Sequence, residues 1–206
     1  ACAAHHERLG KVLLRLGHPE QAAEALAQAT ALEPGRAEVH FLLAQALRQA
    51  GKAREALAEL QEAARLDPAH PTYQRELALA LAEEGDRVGA RSALAQALSQ
   101  NPDDAELLYL LGRTCAEEGR LEEAIGYFRR AVDLAPDIPR YLLSLGESLL
   151  AAQEYREAAE RLQEAVRLAP DSAEAHHRLG QALEALGEAE AARASFRQAV
   201  RLAPDT

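Results

Sequence analysis

The residues best equipped for chemistry are two histidine pairs, His5-His6 and His176-His177, two cysteines, Cys2 and Cys115, and arginines that include Arg75, Arg113 and Arg140. Adjacent residues on a helix do not face each other, so each histidine pair offers one ring to any single site. Cys2 with His5 would supply two donors, short of the set a metal ion needs, and two cysteines make no disulfide framework. There is no Gly-rich phosphate loop with a lysine, no nucleophile elbow, no HExxH and no dinucleotide fingerprint. The expectation is a chain with no catalytic residue, no metal and no cofactor.

What positions these side chains is a repeat. Pro34, Pro68, Pro102, Pro136, Pro170 and Pro204 follow one another at intervals of 34 residues. The same shift aligns Ala22, Ala56, Ala90, Ala124, Ala158 and Ala192, and also Ala29, Ala63, Ala97, Ala131, Ala165 and Ala199. It aligns Leu9, Leu43, Leu77, Leu111, Leu145 and Leu179. Softer columns run Gly10, Ala44, Ala78, Gly112, Gly146, Gly180 and Leu26, Leu60, Leu94, Phe128, Leu162, Phe196. Six units result: 3–36, 37–70, 71–104, 105–138, 139–172 and 173–206.

Each unit reads as two helices. Asp103 with Glu106, and Asp171 with Glu174, have capping-box spacing. Leu107, Leu108, Leu111 and Cys115 mark an apolar stripe on a first helix, which buries the Cys115 thiol as a small hydrophobe. Ala124, Phe128, Ala131 and Leu134 mark a second stripe, ended by Pro136. Gly119, like Gly17, Gly51, Gly85 and Gly187, stops the first helix in the left-handed conformation. Gln153 stands at that place in the fifth unit, where the turn is expected to be strained or differently shaped. Ala and Gly on facing ridges bring the two helices close, and the Leu and Phe columns fill the space between. One hairpin cannot bury both faces, so neighbours must stack.

Composition agrees. Of the 206 residues, 48% are apolar and 27% charged, in the range of folded chains, but only 4% are aromatic and there is no Trp or Met, so the interior must be knit from Ala and Leu. The net charge of −10 disfavours the broad positive surface that nucleic acid requires. No apolar run is long enough to cross a bilayer. The start, Ala1-Cys2-Ala3-Ala4-His5-His6, lacks a basic and apolar signal segment, and no polar capping helix follows the last proline. The second helix of the last unit is therefore expected to expose part of the stripe containing Phe196, Ala199, Val200 and Leu202, either because the chain is cut from a longer array or multidomain protein or as a surface for self-association into a homo-oligomer. Arg supplies 21 of the 23 basic residues, as suits a GC-rich bacterial genome.

On the Leu-Gly pairs (Leu9-Gly10, Leu111-Gly112, Leu145-Gly146, Leu179-Gly180), the two Ala columns and the Pro column, the chain resembles a tetratricopeptide repeat (TPR) array over essentially its whole length. The aromatic usual early in the first helix is replaced by His6, His40, Gln74, Leu108, Leu142 and His176, the histidines acting as packing substitutes. The later Tyr is replaced by Leu13, Leu47, Leu81, Cys115, Leu149 and Leu183. The resemblance implies an all-α, right-handed superhelical solenoid of six hairpins, about twelve antiparallel helices, forming a single array over 3–206 with no independent second domain.

It also implies a concave groove lined by the first helices, which holds a protein or peptide. Mapped by the resemblance, the groove-facing places are Glu7, Lys11, Arg15, Glu38, Phe41, Gln45 and Arg48 in the first two units. The middle units offer Arg75, Leu79, Glu83, Tyr109, Arg113 and Glu117, and the last two Arg140, Leu143, Glu147, Glu174, His177 and Gln181. Arg75, Arg113 and Arg140 beside Tyr109, Leu79 and Leu143 suit an acidic peptide with apolar anchors. Alternatively these arginines pair with Glu83, Glu117 and Glu147 on a solvated face. The lysine and asparagine clamp with which similar proteins hold chaperone C-termini has no match: the best window has Arg75 and Arg140 but Leu79, Leu110 and Ser144. A groove ladder of Asn, the mark of similar arrays in O-linked N-acetylglucosamine transferases, is absent, since Asn101 is the one Asn. The leading reading is a non-catalytic interaction scaffold. The alternatives are a self-assembling array and the recruiting arm of a larger enzyme.

Overall fold

The computed structural model describes residues 2–203, so Pro204, last of the proline column, lies outside them. Segments rich in Ala, Leu, Glu and Arg, with apolar residues three and four apart, have both the propensity and the stripe of a helix. Twelve form, and among the described residues there is no strand. In order they are α1 (Ala3–Arg15), α2 (Pro19–Leu32), α3 (Ala37–Gln49), α4 (Ala53–Leu66), α5 (Pro71–Glu83) and α6 (Arg87–Gln100). Then follow α7 (Ala105–Glu117), α8 (Leu121–Leu134), α9 (Pro139–Ala151), α10 (Tyr155–Leu168), α11 (Ala173–Ala185) and α12 (Ala189–Leu202). They fall into two compact units, Ala1–Pro102 and Asp103–Thr206. In each unit three hairpins stack, every helix packing on its neighbours in the chain.

The turns inside the hairpins follow from backbone chemistry. At the end of α7 the Gly119 N–H bonds to the Ala116 carbonyl at 3.0 Å and the Arg120 N–H to that of Cys115 at 2.9 Å, with Gly119 at φ 78°. This pair of bonds satisfies carbonyls the helix leaves open. Gln153 closes α9 with the same pair, 3.0 and 2.9 Å, at φ 63°. The turn thus keeps its shape, and the left-handed side chain carries the cost, on the order of 1 kcal/mol.

Two capping expectations are corrected by one residue. Asp104, not Asp103, caps α7, accepting from the N–H groups of Glu106 and Leu107 at 3.0 Å each. Ser172, not Asp171, caps α11 through the Ala175 N–H at 3.2 Å. The residue with extended backbone just before the helix is the one whose side chain reaches the open N–H groups. Asp86 caps α6 through Gly89 N–H, 2.9 Å, and any Cβ on Gly89 would lie 2.4 Å from the Asp86 carboxylate.

Both Ala columns are buried wherever they are described, as are Leu26, Leu60, Leu94, Phe128 and Leu162 opposite them. Glycine in the softer column is a hole for that knob: a Cβ on Gly112 would stand 2.6 Å from the Phe128 ring, and one on Gly146 2.5 Å from Leu162 Cγ. Burying a Leu or Phe in this way contributes roughly 1.5–3 kcal/mol. Leu107, Leu108, Leu111 and Cys115 are buried together. Leu134 departs from its expected stripe and is exposed at the end of α8, as is Leu9 on α1.

The histidines that replace the family aromatic do more than fill space. His40 Nε2 donates to the Pro34 carbonyl at 3.0 Å, and its Nδ1 lies 2.6 Å from Glu59. Gln74 and His176 reach the carbonyls of Pro68 and Pro170 at 3.3 and 3.1 Å. A polar side chain at this place ties the first helix to the turn that precedes it, satisfying a carbonyl that lies past the end of the preceding helix and has no partner within it.

Candidate functional site

First helices of neighbouring hairpins touch directly, α1 with α3, α7 with α9 and α9 with α11, whereas the second helices make no comparable contact. In each unit the first helices are therefore the row with the closer direct contacts. Its exposed side chains form the candidate binding surface.

In the first unit this surface is a lattice of charge. Glu7, buried on α1, accepts from Lys11 at 2.7 Å and Arg36 at 2.6 Å, and Lys11 continues to Glu38 at 2.7 Å. The Lys11 hydrogen bond holds the Glu7 carboxyl below its ordinary value against the opposing effect of burial, with Arg36 adding to it. Phe41 meets Tyr73 with ring centroids 5.0 Å apart, and Tyr73 stacks on His70 at 3.9 Å. Arg75 donates to Glu76 at 3.2 Å while its Nε–H is buried with no acceptor. Arg48 also bonds Glu76, at 2.9 Å, and reaches Glu83 at 3.5 Å. Leu79 is half-buried.

In the second unit aromatic rings and charge meet. Tyr141, buried at the start of α9, donates its hydroxyl to Glu106 on α7 at 2.7 Å. The Tyr109 and Tyr141 rings lie 4.8 Å apart. The Arg140 guanidinium sits over both, 5.3 and 5.1 Å from their centroids, and is ion-paired to the same Glu106 carboxylate. Burial, reinforced by Glu106, raises the Tyr141 hydroxyl above its ordinary value. Arg113 pairs with Glu117 one turn along α7, 3.4 Å. On α9, Glu147 accepts from Arg178 at 2.8 Å; burial raises its carboxyl, Arg178 opposes that, and Glu174 adds to it. Leu143 is half-buried, and His177 is exposed with its ring 5.5 Å from Phe196 of α12.

The groove arginines are therefore engaged, and partly with other carboxylates than expected. Arg113 takes Glu117, but Arg75 takes Glu76 and Arg140 takes Glu106, while Glu83 goes to Arg48 and Glu147 to Arg178. Pairs between successive repeats, such as Glu106 with Arg140, have a spacing that no single-helix rule selects. Tyr73, Tyr141 and Glu106 were missed for that reason; a count of aromatic residues near each first-helix N-terminus would have marked the two tyrosines. At the other candidate surface Phe196 is half-buried, Val200 and Leu202 are exposed, and Ala199 of the same stripe is buried. No group of three or more metal-ligating side chains converges among the described residues, and no helix is long and apolar enough to cross a membrane.

A family model described as tetratricopeptide repeat matches residues 7–71, 41–91, 75–139 and 143–205. No curated protein is significantly similar in sequence. Among solved structures, MamA 41-end from Desulfovibrio magneticus RS-1 superposes with a TM-score of 0.75 at 25% identity, over 82% of this chain and 96% of that one. YrrB, described as a TPR protein with an unusual peptide-binding site, gives 0.77 at 22% identity over 89% and 94%. Pseudomonas aeruginosa pilF gives 0.79 at 20% identity over 99% and 93%.

Proposed function

Because the chain belongs to the tetratricopeptide repeat family, we propose that it is a non-catalytic interaction scaffold, residues 3–206 acting as one array, whose first helices hold a peptide or protein segment. The observation that carries the reading is the Arg140 guanidinium laid over Tyr109 and Tyr141 against Glu106. Tyr and Arg are the residue types that dominate binding energy at interfaces. A fixed guanidinium suits a ligand carboxylate, and the ring of Tyr109 suits an apolar anchor. Since Glu106 already neutralises Arg140, an acidic ligand binds by exchange, its carboxylate replacing Glu106.

Exchange has a signature that simple attraction lacks. In a fluorescence-anisotropy screen with labelled peptides that combine Asp or Glu with Leu or Phe, Arg140→Gln and Tyr109→Ala should weaken binding. Glu106→Gln should strengthen it. Binding that ignores Arg140→Gln and Tyr109→Ala would remove this surface as the site.

A further inference from the structure

The second helices of the first unit leave open a place that their counterparts in the second unit fill. Between α2 and α4 lies a cavity of about 530 Å³, floored by the buried Leu43 and Leu47 of α3 and walled by Ala23, Ala27 and Ala58. Its rim carries Glu20 and Glu24 on α2 and Glu55 and Glu59 on α4, with Lys52 as the one cation among the lining residues. Glu59 is held by His40. Glu20, Glu24 and Glu55 have no hydrogen bond or ion pair among the described side chains. The exposed lining residues all belong to α2, α4 and the turn before α4, so this is not the surface of the first helices.

Three periods further along, the same places show what fits there. Ala27 is matched by Arg129, whose guanidinium crosses from α8 to α10. It donates to Glu157 through Nε at 3.1 Å and Nη2 at 2.7 Å, and to Glu154 at 3.2 Å. Leu43 and Leu47 are matched by Leu145 and Leu149, Ala23 by Ile125, and Glu55 by Glu157. The first unit thus keeps the leucine floor and the carboxylate but has alanine in place of the isoleucine and the arginine. Space and an unpaired acceptor are left at the same point.

We infer that this groove binds an arginine of a partner peptide or protein, the guanidinium taking Glu55 and the aliphatic stem lying over the leucines and alanines. Arginine suits such a place because its stem covers apolar surface while its planar fork donates two parallel bonds to one carboxylate. Lysine offers a point charge and cannot reproduce that pair. Two differences from the second unit tune the site. Glu24 stands where the second unit has Gly126 and adds a carboxylate on the α2 side, whereas Lys52 stands where it has Glu154 and removes an acceptor. The site lies in the other unit from Arg140 and has the opposite sign, so either can fail without the other.

Fluorescence anisotropy of the whole chain tests this, with a labelled peptide carrying arginine between leucines and its lysine and citrulline counterparts. The arginine peptide should bind best, and citrulline, which keeps the shape and loses the charge, should weaken binding by about tenfold or more. Glu55→Gln should weaken it similarly, and Lys52→Glu should strengthen it by restoring the second acceptor. Ala27→Arg builds the second unit's arginine into the first and should block the groove, with wild-type helical circular dichroism because Ala27 is exposed. Glu184→Gln on α11, an exposed change of equal charge, should leave binding unaltered. Equal binding of the arginine and citrulline peptides would overturn the inference, as would wild-type binding by Ala27→Arg. Weakening by Glu184→Gln as large as that by Glu55→Gln would overturn it too, by showing attraction to the net charge alone.

Discussion

The Tyr141 hydroxyl and the Glu106 carboxylate, 2.7 Å apart on consecutive first helices, tie two hairpins of the second unit together. Arg140 shares the same carboxylate but is itself more than half exposed. The two bonds should therefore have unequal worth. Tyr141→Phe, which keeps the ring and removes one partly buried hydrogen bond, should lower stability by about 1 kcal/mol in urea denaturation. Glu106→Gln removes only the exposed ion pair's charge and should cost less than about 1 kcal/mol.

Gly146 and Leu162 form the second relationship with a measurable consequence. Gly146→Ala improves helix propensity by up to about 1 kcal/mol but places a methyl 2.5 Å from Leu162 Cγ. Overpacking of this kind costs roughly 1–3 kcal/mol, so the net change should be destabilising. In a double-mutant cycle with Leu162→Ala, the penalty of Gly146→Ala should vanish. Additive effects would mean the methyl is accommodated some other way.

The fifth hairpin has a removable cost. Gln153 holds φ 63° where the other described first-helix turns use glycine. Gln153→Gly should stabilise by about 0.5–1 kcal/mol, less than the full left-handed penalty because glycine also loosens the unfolded chain. A rise in the thermal midpoint with unchanged circular dichroism would show it.

Acid should loosen the first hairpins through Glu7. Its folded pKa lies below the ordinary 4.5, chiefly because Lys11 donates to it. The stability it contributes is complete above about that pH and is lost as pH falls through the lowered folded value. Glu7→Gln should reduce stability at pH 7 by about 1–3 kcal/mol, as expected for a buried hydrogen bond to a charged group. It should also flatten the decline below pH 4.5. An acid limb identical to the wild type's would place the proton uptake elsewhere.

How much of this was legible in the chain differs by kind of interaction. The helices, their two-by-two grouping and the buried Ala columns follow from short-range spacing, because backbone hydrogen bonds and an apolar stripe are satisfied within one or two turns. The caps were legible only to within one residue. Asp103 and Asp104 are both good acceptors, and the entry angle of the chain, set by packing, decides which reaches the open N–H groups. Cap strength offers a check: Asp104→Ala should cost about 1 kcal/mol and Asp103→Ala a few tenths.

By itself, then, the sequence determined the period, the hairpins, the turns that Gly119 and its equivalents close, and the family. Only the tertiary structure decided which carboxylate each arginine takes, which tyrosines meet, and which members of an apolar column stay exposed. The reason is physical. Arginine and glutamate are long and flexible, and several partners lie within reach at nearly equal energy until neighbouring helices set the distances. Likewise Leu9 and Leu145 are the same residue in the same register, and what separates 43% exposure from 1% is whether another helix lies against them.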